Sequence, residues 1–159
     1  MPSRLTRAEY FMGIAHLVSA RSTCKRAKVG AVLVDPFERC IAATGYNGSM
    51  PEAKHCTEEG CILDIKGEHC RRAIHAELNA VLHLRSSHSA LWLYSTHQPC
   101  ADCLKALVSV RVSMITYESH YPDLLRDQFA LEVPHVQWRY FKKGDEPGSS
   151  TEESSDAGG

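Results

Sequence analysis

The chain has 159 residues, 43% of them apolar and 23% charged, with a formal net charge of −1. Length and balance fit one domain around one core. A near-neutral chain lacks the basic stripe that displaces counterions from a polynucleotide, which argues against a nucleic-acid partner, whereas a small phosphorylated ligand needs only one or two cations.

Thr6 and Glu9 have the spacing of a capping box, and Tyr10, Ile14, Leu17 and Val18 recur at helical spacing, so residues 6–21 are predicted to form an amphipathic helix. Val29–Val34 and Arg39–Thr44 read as two paired strands around the Asp35-Pro36 turn. Gly45-Tyr46-Asn47-Gly48 reads as a turn. Residues 49–73 are rich in Gly, Glu, Cys and His with no clear period. A loop that long inside a small domain needs something to pin it. A helix is predicted from His75 to about Arg85, with Leu78, Val81 and Leu82 on one face. Ala90–Thr96 is a strand, Cys100–Val110 a helix, Val112–Tyr117 a strand, Pro122–Ala130 a helix with proline at its start, and Val136–Phe141 a last strand. Strands alternating with helices imply an α/β sandwich around one sheet. Residues 1–143 form the folded domain. The Gly-, Ser- and acid-rich stretch 144–159 cannot bury apolar surface and is expected to be a disordered tail. No apolar run approaches the roughly 20 residues that cross a bilayer, and Met1–Arg7 lacks the apolar segment of a signal peptide. The expectation is a soluble, cytosolic protein with no membrane partner.

Seven cysteines are many for this length. In a reducing compartment they are expected to be metal ligands or buried thiols rather than disulfides. Cys40 alone sits in an apolar run and is expected to be a small buried hydrophobe.

The strongest pattern is His75-Ala76-Glu77 together with Pro99-Cys100-Ala101-Asp102-Cys103. H-x-E followed by P-C-x-x-C is the signature of the zinc deaminases, and its physics is coherent. A catalytic zinc takes three protein ligands and keeps one position open for water. His75, Cys100 and Cys103 supply the three. The two cysteines, at i and i+3, share one face of a helix. Both motifs open helices, whose positive ends favour thiolate. Glu77, two residues after a ligand, reaches the water without binding the metal. It would take a proton from that water as general base, and would then protonate the ring nitrogen and the departing amine. The competing readings are a closed structural zinc, or helix-start residues with no metal. A redox Cys-x-x-Cys pair would need neither His75 nor Glu77.

With Lys28-Val29-Gly30-Ala31-Val32, Gly45-Tyr46-Asn47-Gly48, His75-Ala76-Glu77-Leu78-Asn79-Ala80 and Pro99-Cys100-x-x-Cys103 in place, the chain resembles the cytidine/deoxycytidylate deaminases from about Cys24 to Tyr121, particularly the phage and bacterial deoxycytidylate branch. The resemblance implies a three-layer α/β/α sandwich around a five-stranded mixed sheet. It implies hydrolysis of dCMP to dUMP and ammonia, feeding thymidylate synthesis. It also implies that Asn47 holds the sugar hydroxyl, that the Ala76 backbone amide meets the pyrimidine, and that Tyr121 covers the base, where an aromatic face adds affinity without much selectivity. Some family members are homohexamers switched on by dCTP and off by dTTP, with magnesium on the triphosphate. From the residues alone, Asn47 also fits a left-handed turn position and Tyr121 a core aromatic. Arg26, more than Lys28, suits the substrate's 5′-phosphate, although solvated surface charge is the usual fate of both.

Cys24 and Cys56 align with structural zinc ligands in some phage members. A second zinc on Cys24, Cys56, Cys61 and Cys70, with His55 or His69 as substitutes, would pin the long loop; free thiols are the alternative. Rival functions are cytidine deaminase, a tRNA adenosine deaminase, a DNA-editing deaminase, and an inactive zinc-stabilised accessory protein. Charge speaks against the polynucleotide enzymes, the Gly-Tyr-Asn-Gly segment and the Cys/His loop against cytidine deaminase, and Glu77 against the accessory protein.

Overall fold

The computed structural model describes residues 4–144, so the expected tail lies almost wholly outside the described residues. The order is α1 (Arg7–Ser19), β1 (Gly30–Asp35), β2 (Cys40–Tyr46), β3 (Gly48–Ser49), α2 (Cys56–Glu59), β4 (Ala73–Ile74), α3 (Ala76–Leu82), β5 (Leu91–His97), α4 (Ala101–Ser109), β6 (Val112–Ser119), α5 (Leu124–Glu132) and β7 (Gln137–Tyr140). Five strands form one mixed sheet in the order β2-β1-β5-β6-β7. β1 is antiparallel to β2 and β5, while β5, β6 and β7 run parallel.

Alternation along the strands divides the core. Val32 and Val34 of β1 face Phe11, Met12 and Ala15 of α1 on one side of the sheet. Ala31 and Leu33 face Ala76 and Ala80 of α3 and Leu104 and Leu107 of α4 on the other. Phe129, Ala130 and Val133 at the end of α5 pack against that second cluster. The result is the expected three-layer α/β/α sandwich.

The capping box at Thr6 and Glu9 forms as predicted: the Thr6 hydroxyl accepts from Glu9 N at 3.2 Å and the Glu9 carboxylate accepts from Thr6 N at 2.9 Å. The helical faces differ from expectation. α1 buries Phe11, Met12, Ala15 and Ser19, leaving Tyr10 and Leu17 exposed and Ile14 and Val18 half-buried. α3 buries Ala76, Glu77 and Ala80, while Leu78 and Leu82 face outward. The reason is close approach. A Cβ on Gly45 would lie 2.2 Å from Ala76 O and 2.3 Å from Ala80 N, and one on Gly30 would lie 2.0 Å from Ala15 O. Helices this near the sheet present small residues, so their leucines turn away.

Three further expectations are corrected. Cys40 begins an edge strand and is exposed. Gly45 and Tyr46 complete β2, and Gly48 and Ser49 pair with Ile74 and Ala73 rather than closing a turn. The first turn of α5 starts at Leu124 with Asp123, not Pro122, as its cap.

Gly45→Ala forces the sheet off α3 and is expected to cost about 1–3 kcal/mol, as overpacking does. Gly13→Ala, where nothing lies within 4 Å of the added carbon, is expected to stabilise by about 0.5–1 kcal/mol by removing a helical glycine. Urea unfolding midpoints of the two variants check this difference of sign.

Candidate functional site

Two helices begin beside each other at the carboxyl end of β5. His75 is the N-cap of α3 and Cys100 the N-cap of α4. The His75 ring Nδ1 lies 3.4 Å from Cys100 Sγ and 3.4 Å from Cys103 Sγ, and all three ligand atoms lie within 4.8 Å of one another. Tetrahedral zinc, with bonds of about 2.0–2.1 Å to nitrogen and 2.3 Å to sulfur, sets N···S near 3.6 Å, so the three residues fit the ion. Cys103 and its hydrogen bond hold the Cys100 thiol down at about 4, with His75 helping. Its own partner, together with burial, pushes Cys103 up. The hydrogen bond to Cys100 raises His75.

Glu77 sits in the first turn of α3, on its buried side, and is 4% exposed. Ser95 Oγ donates to its Oε1 at 3.4 Å, and Cys103 Sγ lies 3.7 Å from its Oε2. Burial pushes its carboxyl above the ordinary range. A carboxyl near the metal ligands with a raised affinity for protons is suited to accept one and pass it on.

His75, Glu77 and Cys100 line a cavity of about 290 Å³ that also touches Arg26, Asn47, Ala76, His97, Gln98 and Tyr121. Asn47 is buried and held from three sides. Its Oδ1 accepts from Ser22 Oγ at 2.6 Å and Val29 N at 2.8 Å, and its Nδ2 donates to Ala27 O at 2.8 Å. Among the described residues the non-glycine positions with positive φ are Arg39, Glu52 and Arg111, so Asn47 is not a left-handed turn residue. Tyr121 is half-buried at the cavity rather than in the core. Lys28 is exposed and outside the cavity lining.

The Cys/His loop is partly ordered by α2 and by the Leu63–Cys70 bridge. Cys56, Cys61 and Cys70 bring their sulfurs within 4.8 Å of one another, with Cys56 Sγ and Cys70 Sγ 3.7 Å apart. Burial and the neighbouring Cys70 push Cys56 up to about 12. Cys70 comes down to about 7, because hydrogen bonds from Ala73 N, Arg72 N and its two thiol neighbours outweigh its burial. Cys24 is buried and shares the cavity wall with Cys70 but is not in that three-sulfur set. His55 caps α2 with its Nδ1 buried and unpartnered, and His69 Nδ1 bonds Tyr121 Oη at 3.1 Å.

Sequence reasoning missed the residues that hold this site. Asp123 receives Ala101 N at 2.8 Å and Arg126 N at 3.0 Å, tying the starts of α4 and α5 together. An Asp immediately before a helix is a readable cap signal. Arg126 is buried, and its Nη1 donates to Pro99 O at 3.2 Å and to Tyr121 O at 2.6 Å. Nothing in the sequence marks Arg126 or Ser22.

A sheet that delivers one imidazole, two thiols and a buried carboxylate to paired helix starts defines the zinc-deaminase class. The comparisons with known proteins agree. Residues 5–119 match the model of the cytidine and deoxycytidylate deaminase zinc-binding region. The chain is 37% identical over 121 residues to ComE operon protein 2 of Bacillus subtilis, covering 74% of this chain and 62% of that protein, so it spans under two thirds of that relative's length. It is 34% identical over 119 residues to the deoxycytidylate deaminase of Mycobacterium phage D29, covering 69% and 91%. In three dimensions it is similar to the dCMP deaminase of cyanophage S-TIM5 in complex with dCMP and dUMP, with a TM-score of 0.71, 30% identity and coverage of 88% and 100%. The chain belongs to the cytidine and deoxycytidylate deaminase family.

Asp123 predicts a pH effect. Burial opposes ionisation, but hydrogen bonds from Arg126 N and Ala101 N and the Arg126 charge hold its carboxyl below the ordinary range. A depressed pKa contributes stability above the unfolded value, and that contribution is lost as pH falls through the folded value. Asp123→Ala is expected to cost about 0.5–2 kcal/mol at pH 7, with the gap to the parent closing as pH falls into the acid range. Denaturation midpoints measured across pH check it.

Proposed function

We propose that this protein hydrolyses dCMP to dUMP and ammonia, supplying dUMP for thymidylate synthesis. The observation that carries the reading is the His75–Cys100–Cys103 cluster set against the buried Glu77 carboxylate. His75, Cys100 and Cys103 would hold the zinc, which when bound acts as a Lewis acid that makes a water nucleophilic at neutral pH. Glu77 takes one proton of that water and delivers it to the ring nitrogen; once the oxygen has added to the amine-bearing carbon, it takes the remaining hydroxyl proton and passes it to the amine, which leaves as ammonia while the carbonyl forms. Ser95 holds the carboxylate from behind. The Ala76 N–H, a first-turn donor with no partner inside the helix, meets the pyrimidine. Asn47 donates to the sugar hydroxyl, Tyr121 covers the base, and Arg26 receives the 5′-phosphate. Support also comes from the relatives that carry the deoxycytidylate deaminase name and from the cyanophage enzyme's complex with dCMP and dUMP.

The second zinc belongs to the same proposal. Tetrahedral bonds of about 2.3 Å separate two thiolate sulfurs by about 3.8 Å, and Cys56 and Cys70 stand 3.7 Å apart. Cys56, Cys61 and Cys70 would supply three ligands. The fourth would come from Cys24, which shares the cavity wall with Cys70, with His55 and His69 as substitutes.

Finer features go with this reading: a cytoplasmic homohexamer responding to dCTP and dTTP with magnesium. Leu78 and Leu82 of α3, 37% and 65% exposed, favour subunit contacts. A second cavity of about 490 Å³, lined by Tyr46, Asn79, Lys54 and His55 among others, offers room for an effector. Among the described residues no helix is long and apolar enough to cross a membrane.

The test offers dCMP, CMP, deoxycytidine and dCTP to pure zinc-loaded protein and measures ammonia. dCMP is expected to be the best substrate, and preference for unphosphorylated deoxycytidine would overturn the assignment. Glu77→Ala is expected to retain zinc while kcat falls by roughly 10²–10⁴; near-normal turnover would refute the proton-transfer role. Metal analysis is expected to find two zinc ions per chain, and a single ion would remove the second site.

A further inference from the structure

One hydrogen bond joins segments 52 residues apart across the candidate cavity: Tyr121 Oη to His69 Nδ1 at 3.1 Å. The two rings meet edge to face with centroids 6.4 Å apart, and both residues line the cavity that holds His75 and Glu77. We propose that His69 is a positioning residue for substrate binding: its hydrogen bond latches Tyr121 in place over the pyrimidine. The inference rests on the nucleotide-deaminase reading and adds to it a residue whose only earlier role was as a substitute metal ligand.

Both ends of the latch are built to stay still. On one side, Tyr121 N donates to Gln98 Oε1 at 3.3 Å, and Tyr121 O accepts from the buried Arg126 at 2.6 Å. That fixes the backbone, and the phenol hydroxyl fixes the ring. On the other side, His69 lies at the end of a tight loop. Its carbonyl accepts from Asp64 N at 2.9 Å, Arg71 N donates to Ile62 O at 2.6 Å, and Glu68 N donates to Asp64 Oδ1 at 2.9 Å. Cys70, the next residue, stands in the three-sulfur cluster with Cys56 and Cys61. The imidazole is therefore carried by a segment braced on the thiols, and the latch conveys that bracing to the substrate cavity. A ring already held where a base must stack loses less freedom on binding than a mobile one. The effect belongs in KM, because a stack on the flat face of the base is made in the bound state and at the transition state alike.

The experiment compares zinc-loaded full-length parent, Tyr121→Phe, His69→Ala, His69→Gln and the His69→Ala/Tyr121→Phe double variant. Tyr121→Phe keeps the stacking ring and deletes only the hydroxyl. Tyr121→Phe and His69→Ala are each expected to raise KM for dCMP about 3- to 10-fold, the range of one net hydrogen bond, with kcat within about twofold. The double variant is expected to be no worse than the poorer single, and His69→Gln, which can still bond a phenol, to recover most of the loss. Multiplicative effects in the double variant, or an unchanged KM in Tyr121→Phe, would overturn the latch. So would loss of one zinc per chain in His69→Ala alone, which would make His69 a ligand instead. Amide hydrogen exchange over residues 61–70, measured without substrate, is expected to quicken equally in both single variants, and unchanged exchange counts against the latch. If the parent released no ammonia from dCMP while exchange still quickened, the substrate reading would fail and the latch would stand.

Discussion

Two helix starts sharing one point in space is the constraint on which the rest of this structure depends. Each carries backbone N–H groups without intrahelical partners and a partial positive charge. Placing α3 and α4 tip to tip is unfavourable unless anionic groups fill the gap. Cys100, the cap of α4, supplies a thiolate held down at about 4. Asp123 adds a carboxylate on Ala101 N at the first position of the same helix. The arrangement gathers ligands of the charge and softness that zinc prefers, so the same electrostatics that allow the fold also make the site.

The strands were legible because β1, β5 and β6 are short runs rich in Val, Leu, Ile and aromatics, whereas their order in the sheet was not read from the sequence. The helices were legible as helices but not as faces. For α1 and α3 the large apolar residues suggested a different buried stripe; at the closest approaches to the sheet the structure buries Ala15, Ala76 and Ala80, with Phe11 and Met12 of α1 buried beside them. Size rather than hydrophobicity decided, because Gly30 and Gly45 let the sheet come within contact of the helix backbones. A single sequence does not announce which glycine is matched to which alanine. Cys40 failed for a related reason: an apolar neighbourhood in sequence does not reveal that its strand lies at the sheet edge.

The chemistry was more legible than the packing around it. His75, Glu77, Cys100 and Cys103 were visible because ligand spacing on a helix is short-range. Ser22, Ser95 and Arg126 were not, because each acts at a distance of 18 residues or more on Asn47, Glu77 and Pro99. The segment from Cys56 to Cys70 lies between these cases. Its thiols stood out by type, and the structure brings three of them together, but the fold and not the spacing selects which three. Such a segment has too little apolar surface to pack by itself, so sulfur and tight turns do the ordering.

Asn47 shows how framework and site are joined. A side-chain amide has two acceptor sites and two donors. Ser22 Oγ and Val29 N occupy the oxygen, and Ala27 O takes one N–H. One donor remains, on a residue that lines the cavity beside His75. Val29 immediately precedes β1, and Gly48, which follows Asn47, pairs with Ile74 next to His75. Asn47 is thus fixed at once to the central sheet and to the segment that leads into the ligand cluster. An aspartate could not donate to Ala27, and a serine could not reach three partners. The three framework bonds leave the amide in one orientation, so its remaining donor is aimed before any ligand arrives. In this fold the residue that carries the remaining donor is also one whose framework bonds fix that donor's distance from the ligand cluster.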